Sequence, residues 1–169
     1  MIHVCSLALL HETVETTGAS HVVTLISRDI EVARPRSILA DHHLWLEMHD
    51  ISTPLDGYIL PEKHHIEDLL AFVQRWDRAQ PMVVHCHAGI SRSSAAAFVA
   101  ACALAPHRDE RDIALAMRQA SPTALPNVRI VSLADQALGR NGRMLAAIKA
   151  MSPYSPCFSG ALPFRIDLS

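Results

Sequence analysis

Met82-Val83-Val84-His85-Cys86-His87-Ala88-Gly89-Ile90-Ser91-Arg92-Ser93-Ser94 is the stretch whose reading decides the fold. Met82 to Val84 is the kind of short apolar run that forms a buried strand. It delivers a cysteine, five residues of loop bring an arginine, and the alanine-rich residues 93–105 follow as a helix. A strand that turns straight into a helix N-terminus leaves a row of backbone N–H groups with no intrahelical partner, and the helix dipole adds partial positive charge there. That concavity suits an oxyanion such as phosphate, and it favours a thiolate, the nucleophilic form, over a thiol. Arg92 supplies a planar fork that holds two oxygens at once, which lysine cannot do. Gly89 lets the backbone curl round an anion with no Cβ in the way.

His85-Cys86-x-x-Gly89-x-x-Arg92-Ser93 resembles in full the active-site signature of the cysteine-dependent protein tyrosine phosphatase superfamily. Ala88-Gly89-Ile90-Ser91-Arg92-Ser93 is most similar to its dual-specificity branch, among dual-specificity-like bacterial members. The resemblance implies an α/β fold of the phosphotyrosine protein phosphatase II type. It also implies hydrolysis of phosphomonoesters on a phosphorylated protein substrate, at phosphotyrosine and also phosphoserine or phosphothreonine, through a phosphocysteine intermediate. On this reading Cys86 attacks in line. The backbone of His87, Ala88, Gly89, Ile90, Ser91 and Arg92, with the Arg92 guanidinium, holds the equatorial oxygens. Ser93 hydrogen-bonds the sulfur and eases its departure, and His85 supports the cysteine's surroundings. No cofactor and no metal are implied. His87, inside the loop, either faces the substrate or contacts only the rim.

Expelling a phenolate or alkoxide needs a proton at the leaving oxygen, a contribution of about 10²–10⁴ in rate. The resemblance implies an aspartate on the loop after the strand that precedes the signature. Asp50 and Asp56 both qualify. The dual-specificity pattern favours Asp50, just after the apolar run Leu44-Trp45-Leu46. Asp56, before Gly57, also reads as a turn former and is the alternative acid.

Outward from the signature, the chain alternates strands and helices. Ile2-His3-Val4-Cys5, residues 21–27 and residues 44–48 read as strands, and Leu7, Leu10 and Val14 lie at helical spacing before a Gly18 cap. Ile66, Leu69, Leu70, Val73 and Trp76 form a helical stripe behind Pro61-Glu62. Further helices are marked by an Asp109 cap, by an Asn127 cap with a Gly139 stop, and by Met144, Leu145 and Ile148. The expectation is a central, mostly parallel sheet of about four to five strands flanked by helices, in one catalytic domain over residues 1–151. Residues 152–169 read as an aperiodic C-terminal tail along the surface.

At 169 residues, half of them apolar, the chain suits one core, and a net charge of −2 makes no electrostatic case for nucleic acid or a membrane surface. Cys5, Cys86, Cys102 and Cys157 show no CxxC spacing, which points to a reducing, cytoplasmic setting, with a protective disulfide from Cys5 or Cys102 weighed against plain burial. The N-terminus lacks the pattern of a signal peptide, and no apolar run is long enough for a bilayer span. His42-His43, His49 and His64-His65 lack metal-ligand spacing and read as loop or solvent-facing residues, as Arg118, Arg140 and Arg143 read as surface or helix-end charges. A non-catalytic phosphate- or phosphopeptide-binding module on the same fold is the competing function. The absence of lysine between Cys86 and Arg92 argues for a phosphoprotein over a highly charged phosphoinositide. Oligomeric state and physiological target have no signature in the chain.

Overall fold

The run Met82–Cys86 forms a strand with every residue buried, and the sheet is assembled around it. In the computed structural model, which describes residues 1–151, 154–156 and 161–168, the strands are β1 (Ile2–Ser6), β2 (His21–Leu25), β3 (His43–Leu46), β4 (Met82–Cys86) and β5 (Phe164–Ile166). The helices are α1 (Leu10–Thr17), α2 (Lys63–Arg75), α3 (Arg92–Leu104), α4 (Glu110–Ala120), α5 (Val128–Ala137) and α6 (Arg143–Lys149). Sheet order is β3-β2-β4-β1-β5. β4 lies parallel between β1 and β2, and β2 also pairs in parallel with β3. The expected fold class holds. Central parallel strands are buried on both faces, which is why β2 and β4 read as continuous apolar runs without alternation.

The tail expected along the surface supplies the fifth strand. β5 pairs antiparallel with β1, with Phe164 and Ile166 buried and Arg165 exposed between them. Three residues are too few for a period-2 pattern to register, and only the unpaired edge of β1 makes the segment a strand. Cys157 lies outside the described residues.

α3 is buried on nearly every side from Arg92 to Cys102. It runs under the sheet and packs against β4, α2, α4 and α5. Its alanines allow that close approach. Helix ends follow the expected caps. The Asp109 side chain accepts the Arg111 N–H, Asn127 Oδ1 accepts the Arg129 and Ile130 N–H groups, and Gly18 closes α1 in the left-handed conformation. The third strand stops at Leu46 rather than at residue 48, so Met48 to Asp50 lie beyond the ladder. No described helix is long and apolar enough to cross a membrane.

Of the arginines expected as surface or helix-end charges, Arg143 is exposed and Arg118 lies in the last turn of α4, while Arg140 is largely covered. All three also bind other segments. Arg118 donates to the carbonyls of Met151, Ser121, Pro122 and Ala124. Arg140 and Arg143 both bind Glu110, which is 4% exposed, at 2.9 and 3.2 Å. A buried carboxylate requires such partners. The sequence offers no spacing signal for partners separated by α4, a loop and α5.

Candidate active site

The loop His87–Ser91 crosses from β4 to α3, and its shape is set by what its carbonyls do. His87 O accepts the Leu7 N–H at 3.1 Å, and Ala88 O accepts the Ala161 N–H at 2.9 Å. Ile90 O accepts the Leu125 N–H at 3.0 Å, and Ser91 O accepts the Asn127 N–H at 3.3 Å. The Ser94 hydroxyl also donates to Ile90 O. Three segments distant in sequence therefore pull the loop's carbonyls outward. Among the described residues, no amide from His87 to Arg92 donates to a backbone carbonyl. Unpaired N–H groups in a curled loop at a helix start form an anion-binding concavity.

Gly89 is the residue that permits this curl. Its φ is +74°, and a Cβ there would stand 2.8 Å from both the Cys5 carbonyl carbon and the Ser6 nitrogen. The end of β1 presses against the loop from behind. Glycine is needed on both counts.

Cys86 ends β4 and is 2% exposed, with its Sγ 3.2 Å from Ser93 Oγ. Ser93 is fully buried in the first turn of α3. Arg92 is also buried, and its Nη1 donates to the Met48 carbonyl at 2.9 Å. Its Nε has no hydrogen-bond partner. A buried guanidinium N–H without a partner is costly, and an oxyanion is the kind of group that satisfies it.

His85 is completely buried, and burial pushes its pKa down to about 4, with His43, Arg92 and His11 adding in the same direction. Its Nε2 lies 2.7 Å from Thr24 Oγ1, and that oxygen lies 2.7 Å from His43 Nε2. One hydroxyl bridges two imidazoles, so it donates to one and accepts from the other. Sequence reasoning missed this bridge, because Thr24 on β2 and His43 on β3 become neighbours of His85 only through strand order. Burial pushes the Cys5 thiol up to about 11 and the Cys102 thiol up to about 12, and neither is in a disulfide.

Asp50 is exposed at the mouth of the loop. Its Oδ1 accepts two hydrogen bonds, from Ser91 Oγ at 2.7 Å and from Asn127 Nδ2 at 2.8 Å. Asn127 thus caps α5 with its oxygen and holds Asp50 with its nitrogen. Arg129 in the next turn donates from Nε to the Pro61 carbonyl at 2.6 Å, so α5 grips both ends of the intervening loop. Asp56 lies at the exposed tip, in a turn closed by the Tyr58 N–H on the Leu55 carbonyl with Gly57 at φ +80°. Asp50 is held against Ser91 of the Cys86–Arg92 loop, while Asp56 lies in a turn away from these bonds. Read as a capping residue, Asn127 had given a partial signal, and its second bond needed the fold.

Not all the histidines expected in loops or facing solvent lie there: His43 is in β3, and His64 and His65 are in the first turn of α2, where His65 is buried and its Nδ1 accepts the Glu62 N–H. His42 stacks on His21 of β2 with ring centroids 4.0 Å apart. Among the described residues, no group of three or more His, Cys, Asp or Glu is arranged to hold a metal ion.

Comparison with known proteins agrees with this geometry. No curated protein sequence matches the chain. Among solved structures, human DUSP28 is 18% identical, over 83% of this chain and 94% of its own, with a TM-score of 0.64. DUSP15 is 15% identical, over 91% and 94%, with a TM-score of 0.65. The human tyrosine phosphatase-like serine/threonine/tyrosine-interacting protein is 14% identical, over 83% and 92%, with a TM-score of 0.61. At these identities the likeness is one of fold. The protein-tyrosine phosphatase family model matches residues 13–125, a span that carries β2, β3, β4 and the whole Cys86–Arg92 loop. On that match the chain belongs to the protein-tyrosine phosphatase family.

Proposed function

We propose that this protein hydrolyses phosphomonoesters on phosphorylated proteins through a phosphocysteine intermediate. The observation that carries the reading is the outward engagement of the four loop carbonyls, which leaves the amides of residues 87–92 without backbone partners in the loop between Cys86 and Arg92. In the first step Cys86 thiolate attacks phosphorus, the S–P bond forms and the P–O bond to the leaving group breaks. Asp50, protonated on the oxygen that Ser91 and Asn127 leave free, gives that proton to the leaving oxygen. In the second step the Asp50 carboxylate takes a proton from water, the water oxygen attacks phosphorus, and the S–P bond breaks. Ser93, 3.2 Å from Sγ, donates to the departing thiolate. The amides and guanidinium hold the equatorial oxygens throughout.

Phosphotyrosine, with phosphoserine and phosphothreonine beside it, is the substrate class in this reading, which follows the dual-specificity character of Ala88 to Ser93. A reducing, cytoplasmic setting goes with it, because an oxidised Cys86 cannot attack. The test is to react the purified protein with a phosphotyrosine peptide, quench in acid and map the phosphoryl group by mass spectrometry. A phosphoryl group on Cys86 with release of free phosphate is the expected result. Peptide binding without either product would establish the non-catalytic phosphopeptide-binding module instead.

A further inference from the structure

The chain that carries Asp50 leaves β3, bulges outward and returns towards α2, and two hydrogen bonds between the same two residues close its neck. The His49 N–H donates to the Ile59 carbonyl at 2.8 Å, and the Ile59 N–H donates to His49 Nδ1 at 2.8 Å. In an antiparallel ladder a pair of residues exchanges two backbone bonds. Here an imidazole nitrogen replaces one of the two carbonyls. For Nδ1 to accept, the ring carries its proton on Nε2. Tyr58 packs its edge against the ring, with centroids 4.7 Å apart.

Between residues 49 and 59 the loop is exposed and makes few bonds of its own, the turn at Leu55–Tyr58 being one. Its geometry near the site is therefore set by three successive residues. The Met48 carbonyl holds Arg92, His49 closes the neck, and Asp50 meets Ser91 and Asn127. Met48 is held from the buried side and Asp50 from the site side. Among the described residues, the His49 backbone N–H and its ring together tie the returning strand of the loop to the departing one at this point, and the ring is the side-chain half of that tie.

We propose that His49 is a positioning residue for the acid: its Nδ1 closes the loop neck and so sets where the Asp50 carboxyl stands over Cys86. The inference rests on the reading of Asp50 as the acid. It is tested by kcat/KM, which reports the first step alone, on phenyl phosphate, a poor leaving group that needs the proton, against p-nitrophenyl phosphate, a good one that needs little help. The series is the native protein, His49→Ala, His49→Asn and Asp50→Ala. His49→Ala is expected to lower kcat/KM on phenyl phosphate by about tenfold to a hundredfold, the scale of a small misplacement of a reacting group. On p-nitrophenyl phosphate its kcat/KM is expected to change by no more than about threefold, with inhibition by orthovanadate unaltered. His49→Asn, whose amide oxygen falls near the Nδ1 position, is expected to recover most of the loss. Equal losses on both esters in His49→Ala, or no recovery in His49→Asn, would overturn the proposal. If Asp50→Ala changes the ratio of the two esters and His49→Ala does not, the positioning role alone falls. If Asp50→Ala leaves the ratio unchanged, the acid assignment falls and takes this inference with it.

Discussion

The two loops that meet at the site are held in opposite ways. The loop from His87 to Ser91 is fixed through its backbone, by β1, the C-terminal segment and the chain before α5, with Cys86, Arg92 and Ser93 buried at its ends. The loop from His49 to Ile59 is exposed over most of its length and is fixed mainly through side chains, from Ser91, Asn127 and His49 itself, beside one backbone bond from the His49 N–H to the Ile59 carbonyl. Backbone bonds from three segments leave a loop almost no alternative shape. A few side-chain bonds at one end leave Asp50 open to displacement by single substitutions. In the proposed mechanism the anion cradle is thus rigid and the proton donor adjustable, and substitutions on the two sides should fail differently.

The largest effect belongs to the rigid side. Cys86→Ser should abolish turnover while phosphate still binds, measured as loss of product release with retained protection by orthovanadate against thermal unfolding. Turnover near the native rate would remove the nucleophile from the scheme. On the adjustable side, Asp50→Ala should lower kcat for a phosphotyrosine peptide by about 10²–10⁴ and flatten the limb of the pH profile that reports the protonated acid. Asp56→Ala should leave both unchanged. The reverse pattern would move the acid to the loop tip.

Next comes a pH effect on the rigid side. The His85 pKa is held down at about 4 by burial, against an ordinary value near 6.5, so between those values the unfolded chain binds more protons than the folded one. Stability from this residue is complete above about pH 6.5 and is lost as pH falls through 4, a change of about 3 kcal/mol. Denaturant melts from pH 4 to 7 should show that slope, and His85→Gln should reduce it by about one proton. His3, His21, His43 and His65, also held down by burial, add slope of the same sign. Gly89→Ala forces a side chain into a left-handed conformation against β1. Its expected cost is about 1–3 kcal/mol, with weaker phosphate binding in calorimetry. The smallest stability effect is expected for Asn127→Ala, about 1 kcal/mol from the lost cap. Because the same side chain holds Asp50, kcat/KM on poor leaving groups should fall while that on p-nitrophenyl phosphate is spared. A loss of stability with no such selectivity would reduce Asn127 to a cap.

The same contrast explains what could be read beforehand. The cradle announces itself because its parts are contiguous. A strand, a nucleophile, a glycine and an arginine at fixed offsets must lie together wherever the chain goes. The acid side spans residues 48–61 and is completed by Ser91, Asn127 and Arg129, whose relation to Asp50 depends on how α5 docks. Asp50 and Asp56 could be named as candidates, but nothing local distinguished a carboxylate bound to the site from one that closes a turn.

From the chain alone came the parallel-sheet class, the order of strands and helices, the caps at Asp109 and Asn127, and the Cys86–Arg92 cradle, because each rests on periodicity or on neighbours within a few residues. Tertiary structure alone decided that the last residues become β5, that Thr24 joins His43 to His85, that Arg140 and Arg143 converge on Glu110, and that Asp50 meets Asn127. Each of these joins residues that no local pattern links, so its energy exists only after the sheet and helices have packed.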